Sequence, residues 1–90
     1  MFKRYILSDY IHNAIDYAEF EKLEDDSYCG RIPNCKGVIA FGNTLAETNR
    51  LLRSTLEDWV LLGIKLGHEL PIINGIDLNI DINAEYYEAV

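Results

Sequence analysis

The sequence predicts an α+β domain, and three observations carry the prediction. Three short runs rich in branched and aromatic residues follow one another between residues 17 and 42, separated by turn-forming clusters. A capped amphipathic segment of about six helical turns follows from Thr44. A tail from 76 to 83 then alternates apolar and polar residues. Strands outnumber helices and sit in a run, so one sheet face is expected to pack on the long helix. The expected order is a short N-terminal helix, a three-stranded antiparallel meander, one long helix packed on the sheet, and a C-terminal strand.

Each element has its own warrant. Ser8 or Asp9 can cap the first helix. Ile11, Ala14, Ile15 and Ala18 then fall on one helical face, with His12, Asn13 and Asp16 off it. Residues 17–24 read as the first strand, and Asp25, Asp26 and Ser27 as a turn. Residues 28–32 and 38–42 read as the second and third strands, with a break at 33–37 that contains Pro33 and Gly37. Thr44 and Glu47 form a capping box, the hydroxyl accepting from one backbone N–H and the carboxylate reaching back to another. Leu45, Leu52, Leu56, Trp59, Leu62 and Leu66 are the expected apolar stripe of the long helix. Gly63 weakens its last turns slightly, Gly67 is placed to stop it, and Pro71 forbids continuation. Asn74-Gly75 signals a turn. Ile76, Leu78, Ile80 and Ile82 then alternate with Asp77, Asn79, Asp81 and Asn83, as in a half-buried strand.

The 90 residues fit one domain, 1–90, and the 49% hydrophobic content excludes a disordered chain. Burial of more surface in an oligomer would help a domain this small. Eight basic and fifteen acidic residues give a net charge of −7. Phosphate is repelled by such a surface and no basic stripe is present, so no direct nucleic-acid partner is expected. An acidic surface suits a basic protein partner; the plainer alternative is that it only maintains solubility. No apolar run reaches membrane-span length, and residues 1–10 lack a signal-peptide core, so the expected location is cytoplasmic. Cys29 and Cys35 with the distant His12 and His68 match no zinc spacing. Both cysteines are expected to be reduced, with Cys29 a small buried hydrophobe.

Catalysis finds little support. Glu19 and Glu21 share a strand face opposite Phe20, and with Glu24 they form an acidic row. Such a row ordinarily guards a strand edge in water, and no histidine lies nearby to complete a metal or acid–base site. His12 reads as a surface residue, and His68 as a favourable charge at a helix C-terminus. Ser27, Ser54 and Thr55 have no partner base, and Gly37 and Gly42 are turn residues, not a phosphate loop. Tyr5, Tyr10, Tyr28 and Phe41 are of a type that stacks bases, but core or interface packing is the preferred reading in an acidic chain. No enzyme, cofactor or metal is expected.

One stretch is more specific than its physics requires. Tyr28-Cys29-Gly30-Arg31-Ile32-Pro33 leads into Gly37-Val38-Ile39-Ala40 and then Gly42-Asn43-Thr44-Leu45-Ala46-Glu47. With Leu56-Glu57-Asp58-Trp59 and Gly67-His68-Glu69-Leu70-Pro71, this order and spacing resembles the HicB family of antitoxins over about residues 4–71. The resemblance implies a partial ribonuclease H-like unit without the catalytic acids. It implies a small basic RNA-cleaving toxin of the HicA type as partner, and a homodimer or higher homo-oligomer. Many members carry a separate C-terminal DNA-binding domain. The 19 residues after Pro71 show no DNA-reading helix, which puts autorepression by this chain in doubt.

The functional expectation is therefore an antitoxin-like module that sterically neutralises such a toxin. Glu19, Glu21, Glu24, Asp25 and Asp26 are its candidate contacts, on charge alone. The alternative is an orphan structural or regulatory homo-oligomer that binds another protein or a small ligand. There the strand through Ile76, Leu78, Ile80 and Ile82 would pair across a two-fold axis. A metal-dependent ribonuclease using the acidic row is the third reading.

Overall fold

A computed structural model describes residues 6–79. Its elements run α1 (Ile6–Ile15), β1 (Glu19–Lys22), β2 (Tyr28–Arg31), β3 (Ile39–Gly42) and α2 (Leu45–Leu66), the α+β order predicted up to residue 66. The three strands form an antiparallel sheet in the order β1-β2-β3. Glu19 stands opposite Arg31, and Arg31 opposite Ile39, which fixes the register across the sheet.

The register sorts side chains onto two faces, because residues directly opposite one another share a face. Phe20, Gly30 and Ala40 form one row of the face toward α2, and Lys22, Tyr28 and Gly42 another. That face is built from small residues where α2 comes closest. A Cβ on Gly42 would lie 2.6 Å from Thr48 Oγ1 and 2.9 Å from Thr48 N. On Gly30 it would lie 2.8 Å from the Phe20 ring. The helix therefore rests almost directly on the strand backbones.

The cap of α2 forms as predicted. Glu47 N donates to Thr44 Oγ1 at 3.0 Å, and the Glu47 carboxylate accepts from Asn43 N at 2.7 Å. Gly67 ends the helix at φ +74°, its N–H donating to carbonyls of the last turn. The buried face differs from the predicted stripe. It consists of Thr48, Leu52, Leu56, Val60 and Gly63, with Trp59 half-buried against the core. Leu45, Leu62 and Leu66 are 50%, 56% and 58% exposed. Close approach to the glycine- and alanine-lined sheet demands a small residue at Thr48, and Leu70 packing over the helix demands one at Gly63, so these two took places that a hydrophobicity pattern assigns to leucines. Thr48 is tolerated there because its hydroxyl donates to Thr44 O at 2.7 Å.

Helix α1 is already formed at Ile6, so Ser8 and Asp9 lie within it, exposed, and do not cap it. Its buried residues are Ile6, Tyr10, Ile11 and Ala14. Ile15 and Ala18 are half-buried against the core, Ala18 beyond the helix end.

The tail corrects the sequence reading most. Asn74 and Gly75, at φ 50° and 80°, make a two-residue turn closed by reciprocal backbone bonds between Ile73 and Ile76 of 3.1 and 2.8 Å. Over the described residues 77–79 the chain does not continue as a strand. Asp77 Oδ1 accepts from Asn79 N at 3.0 Å, and Leu78 and Asn79 are helical. An aspartate that caps a following turn explains the switch. Leu78 is buried in the core and Ile76 half-buried against it, so both side chains pack inward within this chain. Ile80 and Ile82 lie outside the described residues.

The tail also ties the core together. Tyr10 Oη donates to Pro71 O at 2.7 Å. Asn79 brackets the Leu70 backbone, accepting from its N–H at 3.0 Å and donating to its carbonyl at 2.8 Å. Asn74 donates to Asn13 at 2.6 Å and accepts from the Tyr17 hydroxyl. Leu70 packs over Gly63, whose Cβ would sit 2.7 Å from it.

Candidate partner-binding surface

The sheet face turned away from α2 is uncovered. Its rows are Glu19, Arg31, Ile39 and Glu21, Cys29, Phe41. Every residue of β1 is exposed. The acidic residues singled out from sequence fall here and in the adjoining turn. Glu19 and Glu21 share the open face of β1, as the strand reading required, while Glu24, Asp25 and Asp26 occupy the turn into β2.

Two of these five carboxylates are ion-paired. Glu19 accepts from Arg31 across the strands at 3.3 Å, and Asp26 lies 3.7 Å from Lys22. Glu21, Glu24 and Asp25 pair with no cation among the described residues. Asp25 accepts from the Ser27 hydroxyl at 2.5 Å and backbone N–H at 3.1 Å, which holds its carboxyl below the usual aspartate range. The turn places Asp26 at φ 69°, a conformation aspartate tolerates.

Across the face the chemistry changes. Ile39 and Phe41 on β3 are 46% and 61% exposed. They were not identified as a surface feature from sequence. Val38 and Ala40 are buried, so Ile39 and Phe41 alternate with them onto the opposite face. Cys29 is half-exposed on that same face, and the buried thiol is Cys35. Cys35 lies against Tyr10, and burial pushes its thiol up to about 11.

A second surface feature is a groove of about 280 Å³ between α1 and α2, floored by Leu7, Ile11, Leu61 and Ile64. The Arg53–Glu57 pair, 3.5 Å apart, forms its rim. Pro33 and Gly37 lie in the exposed β2–β3 turn, Gly37 at φ +93°. His12 and His68 are exposed. Among the described residues no group of three or more His, Cys, Asp or Glu side chains is placed to hold a metal ion. No described helix is long and apolar enough to cross a membrane.

The surface therefore offers recognition by charge and by apolar contact. A family model described as UPF0150-like matches residues 9–71. Among solved structures the chain is similar to TTHA0281 from Thermus thermophilus. The identity is 33%, with a TM-score of 0.75, over 80% of this chain and 90% of that one. No curated protein matches the chain. The family match spans well over half of the chain and agrees with the motifs from Tyr28 to Pro71: the chain belongs to the UPF0150-like, HicB-like antitoxin family.

Proposed function

We propose that the chain is an antitoxin module that binds a small basic RNA-cleaving toxin of the HicA type and blocks it sterically. Within a family of antitoxins, the observation that carries this reading is the β1–β2 hairpin. Its β1 strand is exposed, and its carboxylates Glu21, Glu24 and Asp25 pair with no cation among the described residues. Clustered charge of one sign speeds encounter with a basic protein and disfavours acidic competitors. Glu19 and Asp26 flank the cluster and are set by their partners Arg31 and Lys22. Affinity beyond encounter would come from apolar contact around the charged edge, as in interfaces generally. The reading includes no catalytic step by this chain and no cofactor.

The test is Glu21→Lys/Glu24→Lys, which leaves the Asp25–Ser27 turn intact. Both side chains are exposed or half-exposed at the hairpin surface, so circular dichroism should match wild type. Association with the purified toxin should slow by at least about 10-fold at low ionic strength, an effect of the size steering produces. Protection of RNA in a cleavage assay should weaken in parallel. Unchanged association and unchanged protection would remove the hairpin from the toxin interface.

A further inference from the structure

We infer that Asn74 is a modification site of this chain, an amide that deamidates to aspartate or isoaspartate only when its turn opens away from α1, and that Asn13 and Tyr17 hold that turn shut. Asparagine is a thermolabile residue. Before glycine it is most labile, because glycine has no side chain to shield the nitrogen that attacks. Asn74 is the one asparagine of the chain that precedes a glycine. Both residues of the pair are exposed, so water and base reach them.

The reaction needs only water. The Gly75 amide nitrogen gives its proton to solvent base and attacks Asn74 Cγ. The bond from Cγ to Nδ2 breaks, its electron pair leaves with the nitrogen, and ammonia departs after taking up a proton. The product is a five-membered succinimide. Water then opens the ring at either carbonyl, giving aspartate or isoaspartate. Nothing is oxidised or reduced: one water is consumed and one ammonia released.

The folded turn opposes ring closure. Asn74 and Gly75, at φ 50° and 80°, are the two successive left-handed residues of a type I′ turn. In that region ψ at Asn74 is about +30 to +60°. The Gly75 nitrogen then lies nearly anti to Asn74 Cβ across the Cα–C bond, whereas the five-membered ring needs the two eclipsed. Reciprocal Ile73–Ile76 bonds of 3.1 and 2.8 Å fix that backbone. The side chain is clasped as well. Its Nδ2 donates to Asn13 Oδ1 at 2.6 Å, and its Oδ1 accepts from the Tyr17 hydroxyl. Asn13 is itself set by donating to Asp9 O at 2.6 Å, one turn back along α1. Cyclisation therefore requires both the backbone turn and the clasp to open.

Reaction removes the clasp. An aspartate at 74 keeps an acceptor for Tyr17 but has no donor for Asn13. An isoaspartate adds a methylene to the main chain, and a two-residue turn no longer joins Ile73 to Ile76. Ile73 and Leu78 on either side of the turn are buried, so the change loosens the segment that carries them into the core. It is one-way, because refolding does not restore the amide. The inference does not rest on the toxin reading.

Peptide mapping by mass spectrometry of the full chain aged at pH 8 tests it, with iodoacetamide labelling of the buried Cys35 as the gauge of global unfolding. Asn74 should convert at least about tenfold more slowly in the folded chain than in the same chain unfolded in urea. Tyr17→Phe and Asn13→Ala each remove one side of the clasp and should speed conversion at least about threefold while Cys35 labelling stays unchanged. Conversion in the folded wild type as fast as in urea overturns the protection. Variants no faster than wild type, or faster only in step with Cys35 labelling, overturn the clasp. Should the variants unfold, hydrogen exchange of the wild type decides in their place. The Ile73 and Ile76 amides should exchange at least about tenfold faster than those of Leu52 and Leu56 in the core of α2, and equal rates would overturn a turn that opens by itself.

Discussion

Gly42→Ala is a one-carbon change whose cost follows from how closely α2 lies on β3. The backbone at Gly42 is not in the left-handed region, so alanine is conformationally acceptable there. The obstacle is packing. The new Cβ would sit 2.6 Å from Thr48 Oγ1, 2.9 Å from Thr48 N and 3.1 Å from Thr48 Cα. Thr48 is fully buried and its hydroxyl is bonded to Thr44 O, so rotation of that side chain breaks a cap-proximal hydrogen bond. Rotation would not suffice in any case, because two of the three crowded atoms, the amide nitrogen and the α-carbon, belong to the helix backbone. The first turn of α2 has to lift by several tenths of an ångström, loosening its contact with β2 and β3. Overpacking of this kind costs about 1–3 kcal/mol. For a domain of this size each kcal/mol moves Tm by about 4–8 °C, so thermal melts followed by circular dichroism should fall by roughly 4–24 °C. Thr48→Ala in the Gly42→Ala background should restore little of the loss. A Tm within about 2 °C of wild type, well under one kcal/mol, would refute the close approach. Full rescue by Thr48→Ala would show that only the side chain stood in the way.

Tyr10→Phe should destabilise the fold by about 1–3 kcal/mol, since it leaves Pro71 O without its donor beside a fully buried ring. Urea unfolding should show a lower midpoint at an unchanged m-value; an unchanged midpoint would mean that water replaces the hydroxyl at no cost. At pH 8 iodoacetamide should label the half-exposed Cys29 rapidly and Cys35 only on unfolding, a difference read by mass spectrometry; equal rates would place Cys35 at the surface. The sign of the linkage follows from the raised thiol pKa. The native state favours the neutral thiol, so its contribution is intact below the ordinary value near 9 and is lost as pH rises through about 11.

What the sequence made legible is what local chemistry decides. The Thr44–Glu47 box, the Gly67 stop, the Asn74-Gly75 turn and the three-stranded meander all rest on contacts between near neighbours in the chain. What it misplaced depends on partners far along the chain. Thr48 and Gly63 face the core because Gly42 and Leu70 stand there, and nothing within α2 announces this. The alternation from Ile76 to Ile82 has the period of a strand, yet Asp77 caps a helical turn, so a local polar contact overrides the pattern. Ser8 and Asp9 have cap chemistry but are already inside a helix that Ile6 and Tyr10 anchor. The acidic residues of the hairpin were readable because charge is readable. The apolar edge at Ile39 and Phe41 was not, because its exposure depends on which face of the sheet α2 covers.

That choice of face bears directly on recognition. With α2 on one side, the open side grades from Glu19 and Glu21 on β1, through Arg31 and Cys29, to Ile39 and Phe41 on β3. Strands lie about 4.7–4.9 Å apart, so charged and apolar edges are separated by about 10 Å. At physiological salt a field decays over about 8 Å, so a basic partner at β1 feels the carboxylates strongly while an apolar partner at β3 feels them weakly. Arg31 strengthens the division, since its pairing with Glu19 neutralises the one carboxylate whose cross-strand row leads to Ile39. Glu21 has no such pairing, and its row runs through Cys29 to Phe41. Negative charge is thereby concentrated at the hairpin end of β1, beside Glu24 and Asp25. The β3 end of the face, at Ile39 and Phe41, carries no charge, so contacts there depend least on salt.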